Sequence, residues 1–314
     1  MHNSVAREIK VLLFHRVSPV RDPLWDPMDP VLFRKIIAYI AKKYEIFFIE
    51  ELHTIDFSKV KKPIAALTFD DGYFDFLEYA LPIMQEYKAK SSLYIVTDCI
   101  DKNEATWTYN VDYLFNHTQK TTLDLSAFQN NLGEFSTTNS NSKVELINYG
   151  KKLKQFLKKV PNNKRQEIIA QIKTSFDDVA LPSNMMLSWE QLKQFDKNLV
   201  CIGSHTKSHP PLATIDNEDE LFTELAHSYN QIHAQLGYYP YTISYPVGSY
   251  NQKVIECSKK VGYQMGLAVD FNIYNPIIHS NFNIPRLELY NESYIKTLLR
   301  AEGIYYKIKN MFKS

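Results

Sequence analysis

Two short strings hold the residues best suited to chemistry. Leu67-Thr68-Phe69-Asp70-Asp71-Gly72 sets two carboxylates side by side after an apolar run, and His205-Thr206-Lys207-Ser208-His209 sets two imidazoles four residues apart. One carboxylate oxygen with two imidazole nitrogens suits zinc or another borderline divalent ion, and leaves a place for water. Water held there loses a proton near neutral pH and becomes a nucleophile. The remaining carboxylate is then free to act as base. Each string also has a plainer reading. Paired Asp before Gly suits a helix cap or turn, and a His pair at that spacing arises by chance. Together, each after an apolar run, they point to metal-assisted hydrolysis.

Ligands of this kind need strand ends to hold them. The apolar stretches 9–14, 45–49, 64–69, 92–96, 199–203, 241–245 and 265–269 predict strands. Helices are predicted from Asp29-Pro30 onward, over 74–87 with a late start at Pro82, over 218–237 and over 252–261. A capping-box spacing at Ser188 and Gln191 opens another. Residues 292–313 predict a terminal amphipathic helix with a basic tail. Strands alternating with helices argue for a parallel sheet, an α/β fold, whose active ends are the strand carboxyl termini. His209 is followed by Pro210-Pro211, so a tight loop rather than a helix must hold the His pair.

Residues 98–185 break the pattern. A Ser/Thr/Asn-rich run, 129–142, and two Lys-rich helical stretches, 144–160 and 163–179, read as a mostly helical insertion with a flexible part. The whole of 1–314 then forms a single catalytic domain carrying this insertion. Lys151, Lys152, Lys154, Lys158 and Lys159 make a basic helix face. It is a solvated face, or one that meets a phosphate or an anionic lipid surface as a peripheral membrane contact.

The 314 residues include 36 Lys and Arg against 35 Asp and Glu, a balance that gives no electrostatic case for nucleic acid. The aromatic load, 21 Tyr and 18 Phe, suits either a Tyr-rich core or stacking on sugar rings. Cys99, Cys201 and Cys257 are scattered, which argues against a disulfide framework or a thiolate metal site. The apolar stretch 11–14 is too short for a signal segment, and no run approaches membrane-spanning length, so a cytoplasmic setting is expected.

The two strings resemble the first two signature motifs of the NodB-type polysaccharide deacetylases, carbohydrate esterase family 4. Ser244-Tyr245-Pro246-Val247-Gly248 is similar to the third, Arg-x-Pro-Tyr-Gly, with Ser244 in place of Arg and Val247 in place of Tyr. The resemblance implies a distorted (β/α) barrel and a divalent metal, zinc or else cobalt, nickel or manganese. It implies Asp71, His205 and His209 as ligands and Asp70 as general base. A metal neutralises the carboxylate it binds, so the free neighbour keeps its basicity. The segment Tyr245, Pro246 and Val247 would meet the substrate, with a backbone N–H near Val247 stabilising the oxyanion.

Many members supply a general acid from a late Leu-x-His. Here His279 sits in a polar loop, and Leu13-Phe14-His15 fits better, as in biofilm poly-N-acetylglucosamine deacetylases that carry this motif near the start. His15 is therefore the candidate acid; a structural His beside Arg16 is the alternative. Arg286, in Ile284-Pro285-Arg286-Leu287, either replaces the missing base-orienting Arg or makes a surface salt bridge, with Asp270 as another partner for it. The expected activity is removal of an N-acetyl group from an amino sugar of a polysaccharide or of its lipid-linked or nucleotide-linked precursor. The competing readings are a deformylase or O-deacetylase on a similar glycan, and a glycan-binding module whose catalysis has decayed.

Overall fold

The structure, a computed structural model, describes residues 8–140 and 142–306. In chain order its strands are Ile9–Phe14 (β1), Glu45–Ile46 (β2), Ile64–Phe69 (β3), Ser91–Ile95 (β4), Thr122–Asp124 (β5), Thr137–Asn139 (β6), Val200–Ser204 (β7), Thr242–Ser244 (β8), Met265–Leu267 (β9) and Leu287–Glu288 (β10). The main sheet runs β10-β1-β3-β4-β7-β8-β9, with β2 beside the start of β3. All of these pairings are parallel. Ile284 bridges to Leu267 of β9, and Leu287 pairs with Leu12 of β1. The segment between them therefore touches both ends of the sheet, which curls into a distorted (β/α) barrel.

Side chains alternate across each strand, and that parity builds the site. Ile9 and Val11, Ile64 and Ala66, and Met265 and Leu267 share one buried cluster inside the barrel. Their neighbours Leu12, Phe14, Ala65, Leu67, Phe69 and Leu287 pack outward beneath the helices. The helix Pro30–Lys43 shows how that layer is fixed. Asp29 caps it by accepting from the Val31 and Leu32 N–H groups, and Phe33, Ile36, Ile37 and Ile40 are buried. Continuing the inward parity past the carboxyl ends of β1 and β3 reaches His15 and Asp70. At β10 the inward positions are Glu288 and, just before the strand, Arg286.

Between β4 and β7 lie the helices Trp107–His117, Lys143–Leu157 and Asn162–Ser175, and the antiparallel pair β5–β6. They share a buried cluster of their own that includes Leu114, Phe115, Leu153, Ile168 and Phe176. Gly150 lets two helices meet: a Cβ there would lie 2.5 Å from the Phe115 ring. The Ser/Thr/Asn-rich run is more ordered than its composition predicts, because Leu123, Leu125 and Leu132 anchor it in this core and Thr137–Asn139 pairs with Thr122–Asp124. Asn141 lies outside the described residues.

Other boundaries move for local reasons. The strand expected over 45–49 ends at Ile46 and turns at Ile49–Glu51, where the Glu51 side chain accepts from the Phe48 N–H. Ahead of Pro82 the chain makes a wide turn, Phe76–Ala80, before the α-helix Leu81–Tyr87, since proline offers no N–H to a regular ladder. The terminal helix is Tyr294–Ala301, and the basic tail expected after it falls outside the described residues. Among the described residues no helix is long and apolar enough to cross a membrane.

Candidate metal centre

Asp70 and Asp71 follow β3 directly. The Asp71 backbone is left-handed, φ 78°, and so is that of Gly72, φ 86°. This sharp turn lets adjacent carboxylates serve different partners. Gly72 also needs its lack of a side chain, because a Cβ would lie 3.0 Å from Ile95. His205 follows β7 and is held by its N–H bond to the Ile95 carbonyl, 2.8 Å. The loop to His209 has left-handed residues at Thr206, φ 69°, and His209, φ 63°. Buried Glu224, from the helix Glu218–Leu236, accepts from the Ser208 N–H at 2.5 Å and hydroxyl at 2.9 Å. The Trp107 indole N–H donates to the His209 carbonyl at 2.8 Å. The insertion therefore clamps the second ligand loop.

Asp71, His205 and His209 come together, with one potential ligand atom from each lying within 4.8 Å of the others. Asp71 Oδ1 is 3.4 Å from His205 Nε2 and 3.3 Å from His209 Nε2. None of the three residues is more than 3% exposed. The tautomer of His205 is set by its Nδ1, which lies 2.8 Å from the Ser244 carbonyl. A carbonyl only accepts, so Nδ1 carries the proton and Nε2 of the neutral ring presents a lone pair to Asp71. Asp71 Oδ1 is buried without a hydrogen-bond partner. One oxygen and two ring nitrogens converging in a dry site fit a zinc-like ion. Burial pushes the Asp71 carboxyl up, but the two imidazoles beside it hold it well below the usual carboxylate range.

Asp70 has different partners. Arg286 donates Nη1 to Oδ1 and Nη2 to Oδ2, both at 2.8 Å. The same guanidinium reaches the Ser244 hydroxyl at 2.9 Å and the Ala268 carbonyl at 2.9 Å. The Ser244 hydroxyl donates to Asp70 Oδ2 at 2.9 Å. Arg286 is 0% exposed, so it is not a surface salt bridge. Asp270 is not its partner either and accepts from the Tyr250 hydroxyl instead. Burial favours a protonated Asp70, but Arg286, aided by His205 and His15, holds the carboxyl below its ordinary value.

A cavity of about 430 Å³ opens over this centre, lined by Asp70, Asp71, His205, His209, His15 and Val247 among others. His15 Nδ1 lies 3.9 Å from Glu288, and its ring meets Trp25 edge-on. Val247 has a left-handed backbone, φ 51°, strained for a β-branched residue. Its N–H meets no acceptor among the described residues. Tyr245 and Pro246 do not reach the cavity wall. Ser244 turns inward to Asp70, so Tyr245 turns outward, stacks on Tyr250 and donates to the Phe282 carbonyl. Glu288, Glu224 and Trp107 went unread in the sequence, and Ser244 was read only as a departure from the third motif. Only the Arg286-Leu287-Glu288 alternation carried a signal, by placing Glu288 on the same face as Arg286.

Residues 58–266 match the family model described as polysaccharide deacetylase. The chain belongs to this family. NodB-type deacetylases of the family use a divalent metal and act on acetylated glycans. The Bacillus subtilis protein YxkH is 34% identical over 88 residues, a stretch spanning 27% of this chain and 30% of that protein. Streptococcus pyogenes deacetylase PplD, solved with acetate, shares the fold at 18% identity and a TM-score of 0.62, covering 94% of this chain and 97% of that one. The de-N-acetylase of Aggregatibacter actinomycetemcomitans does so at 16% and 0.60, covering 94% and 99%. IcaB of Ammonifex degensii does so at 14% and 0.61, covering 94% and 97%.

Proposed function

We propose that this chain removes an N-acetyl group from an amino sugar of a polysaccharide or its carrier-linked precursor, using a divalent ion, zinc by its donor set. The observation that carries this reading is the division between the two aspartates. Asp71 faces two imidazoles, while Asp70 is gripped by Arg286 and is left beside them as a base.

Asp71, His205 and His209 would hold the ion, which supplies Lewis acidity and lowers the pKa of water at its open position. Asp70 takes the proton from the attacking water. Arg286 and the Ser244 hydroxyl fix the carboxylate so that it turns neither into the ligand set nor away from the cavity. As charge develops on the acetyl oxygen, the Val247 N–H is positioned to donate to it. His15, steadied by Glu288, gives a proton to the departing amine, which is too basic to leave as an anion. Residues 98–185 wall the cleft as an insertion within one catalytic domain and shape its specificity.

The test is acetate release from N-acetylated sugars by metal-loaded enzyme. Asp70→Asn is expected to lower kcat by about 10²- to 10⁴-fold while metal content stays unchanged. Loss of metal in that variant, or full activity, would contradict the assignment.

A further inference from the structure

The cavity over the metal centre has a basic wall. Lys151, Lys154, Gln155 and Lys158 line it, and their spacing of three, four and seven residues is a single stripe of the helix Lys143–Leu157 and its cap. Lys154 is buried and bonded to Asp112. Lys158 is half-buried and, among the described residues, forms no hydrogen bond or ion pair; the same holds for Lys151. Asp112 and Glu288 lie close enough to favour the Lys158 charge. Neither bonds to it: Lys154 takes Asp112 Oδ2, the other oxygen of Asp112 is left without a partner, and Tyr290 donates to Glu288. Burial and the neighbouring Lys154 both push the Lys158 ammonium down from its usual value. A half-buried cation that no carboxylate contacts directly is costly. Lys152 and Lys159 lie off the stripe and are exposed.

We propose that Lys158 and Lys151 form a phosphate subsite, so that the substrate is an acetylated amino sugar bearing a phosphate ester. This rests on the deacetylase reading of the metal centre, which shares the cavity. Two ammonium groups on one helix stripe match a group whose several oxygens accept from different directions, and lysine binds phosphate as a point charge. A carboxylate asks for less and is better met by an arginine fork.

The experiment measures binding and turnover separately on metal-loaded enzyme. Calorimetry compares glucosamine 1-phosphate with glucosamine, neither of which has an acetyl group to lose. The phosphorylated sugar is expected to bind at least tenfold tighter. Lys158→Gln and, as a milder surface change, Lys151→Gln are each expected to cut that ratio by about tenfold or more. The outward-facing Lys152→Gln leaves it unchanged. A ratio near one, or one that neither cavity variant moves, overturns the subsite. N-acetylmuramate binding as tightly as N-acetylglucosamine 1-phosphate overturns the choice of phosphate over carboxylate. Turnover of a nucleoside-diphosphate N-acetylhexosamine against a polyprenyl-diphosphate one then assigns the phosphate to a soluble or a lipid carrier. If no acetylated sugar releases acetate while the lysine-dependent ratio persists, the deacetylase reading falls and the subsite stands. If acetate is released with no phosphate preference, the subsite falls and the deacetylase reading stands.

Discussion

Replacing Arg286 with Met removes a fully buried cation from a carboxylate that it holds through two bonds of 2.8 Å. A hydrogen bond to a charged group contributes about 1.5–3 kcal/mol. Removing one partner of a buried ion pair costs about 3–5 kcal/mol, because the other charge stays behind unpaired. With an unfolding entropy of about 2 cal/mol/K per residue, a 4 kcal/mol loss across 314 residues lowers Tm by about 6 °C. The same change acts on chemistry. Arg286 is what keeps the Asp70 carboxyl low against burial, so without it burial wins and the carboxyl rises. Asp70 must be ionised to take a proton. The acid limb of the kcat/KM–pH profile therefore moves to higher pH. Arg286→Lys keeps the charge but loses the fork, and falls between the two in both readouts. Urea unfolding and pH–rate profiles on wild type and both variants provide the assay. A destabilisation under about 1 kcal/mol with an unmoved acid limb is the behaviour of an exposed pair, and it would refute this account of how the base is held.

His15→Gln is expected to slow deacetylation of an N-acetyl sugar by about 10²-fold or more, yet barely slow hydrolysis of p-nitrophenyl acetate, whose phenolate leaves without a proton; equal losses on both would remove His15 from the acid role. Stripping the metal with a chelator is expected to lower Tm by about 4 °C relative to enzyme with free ion at about 100 times its Kd, with recovery on adding zinc; an unchanged Tm with acetate release persisting in chelator contradicts metal dependence. Burial raises the Asp75 carboxyl to about 6, although Arg16 bonds to it at 2.7 Å. Its folded value lies above its unfolded value of about 4, so its contribution to stability falls as pH rises from about 4 to about 6. Asp75→Asn removes that part of the pH dependence, and stability curves that stay parallel across this window would show the carboxyl is not raised.

The metal-ligand candidates were readable because each cluster sits in a string of six residues or fewer at a strand end. The turn that separates the roles of Asp70 and Asp71 is local too, and Gly72 announces it. Arg286 was only half readable: its partner lies 216 residues away, and nothing near it distinguishes a buried fork from a surface pair. Ser244 reads in the sequence as a departure from a motif. In the fold its hydroxyl relays a hydrogen bond between Arg286, the residue before β10, and Asp70. Tyr245 shows the reverse, since a one-residue step along β8 carries it out of the site. The lysine stripe was visible as charge, but its orientation depends on how the insertion docks over the barrel, a contact between segments that no local pattern encodes. Trp107 and Glu224 were hidden for the same reason.

Asp71, Thr206, His209 and Val247 all have left-handed backbones, at φ 78°, 69°, 63° and 51°. Each such residue other than glycine costs about 1–2 kcal/mol, so this end of the barrel carries about 4–8 kcal/mol of conformational strain. The walls that hold it are interlocking tethers, not the hydrophobic interior. This end is therefore expected to loosen first on heating, with acetate release lost at temperatures where circular dichroism still shows the helices and sheet, and recovered on cooling.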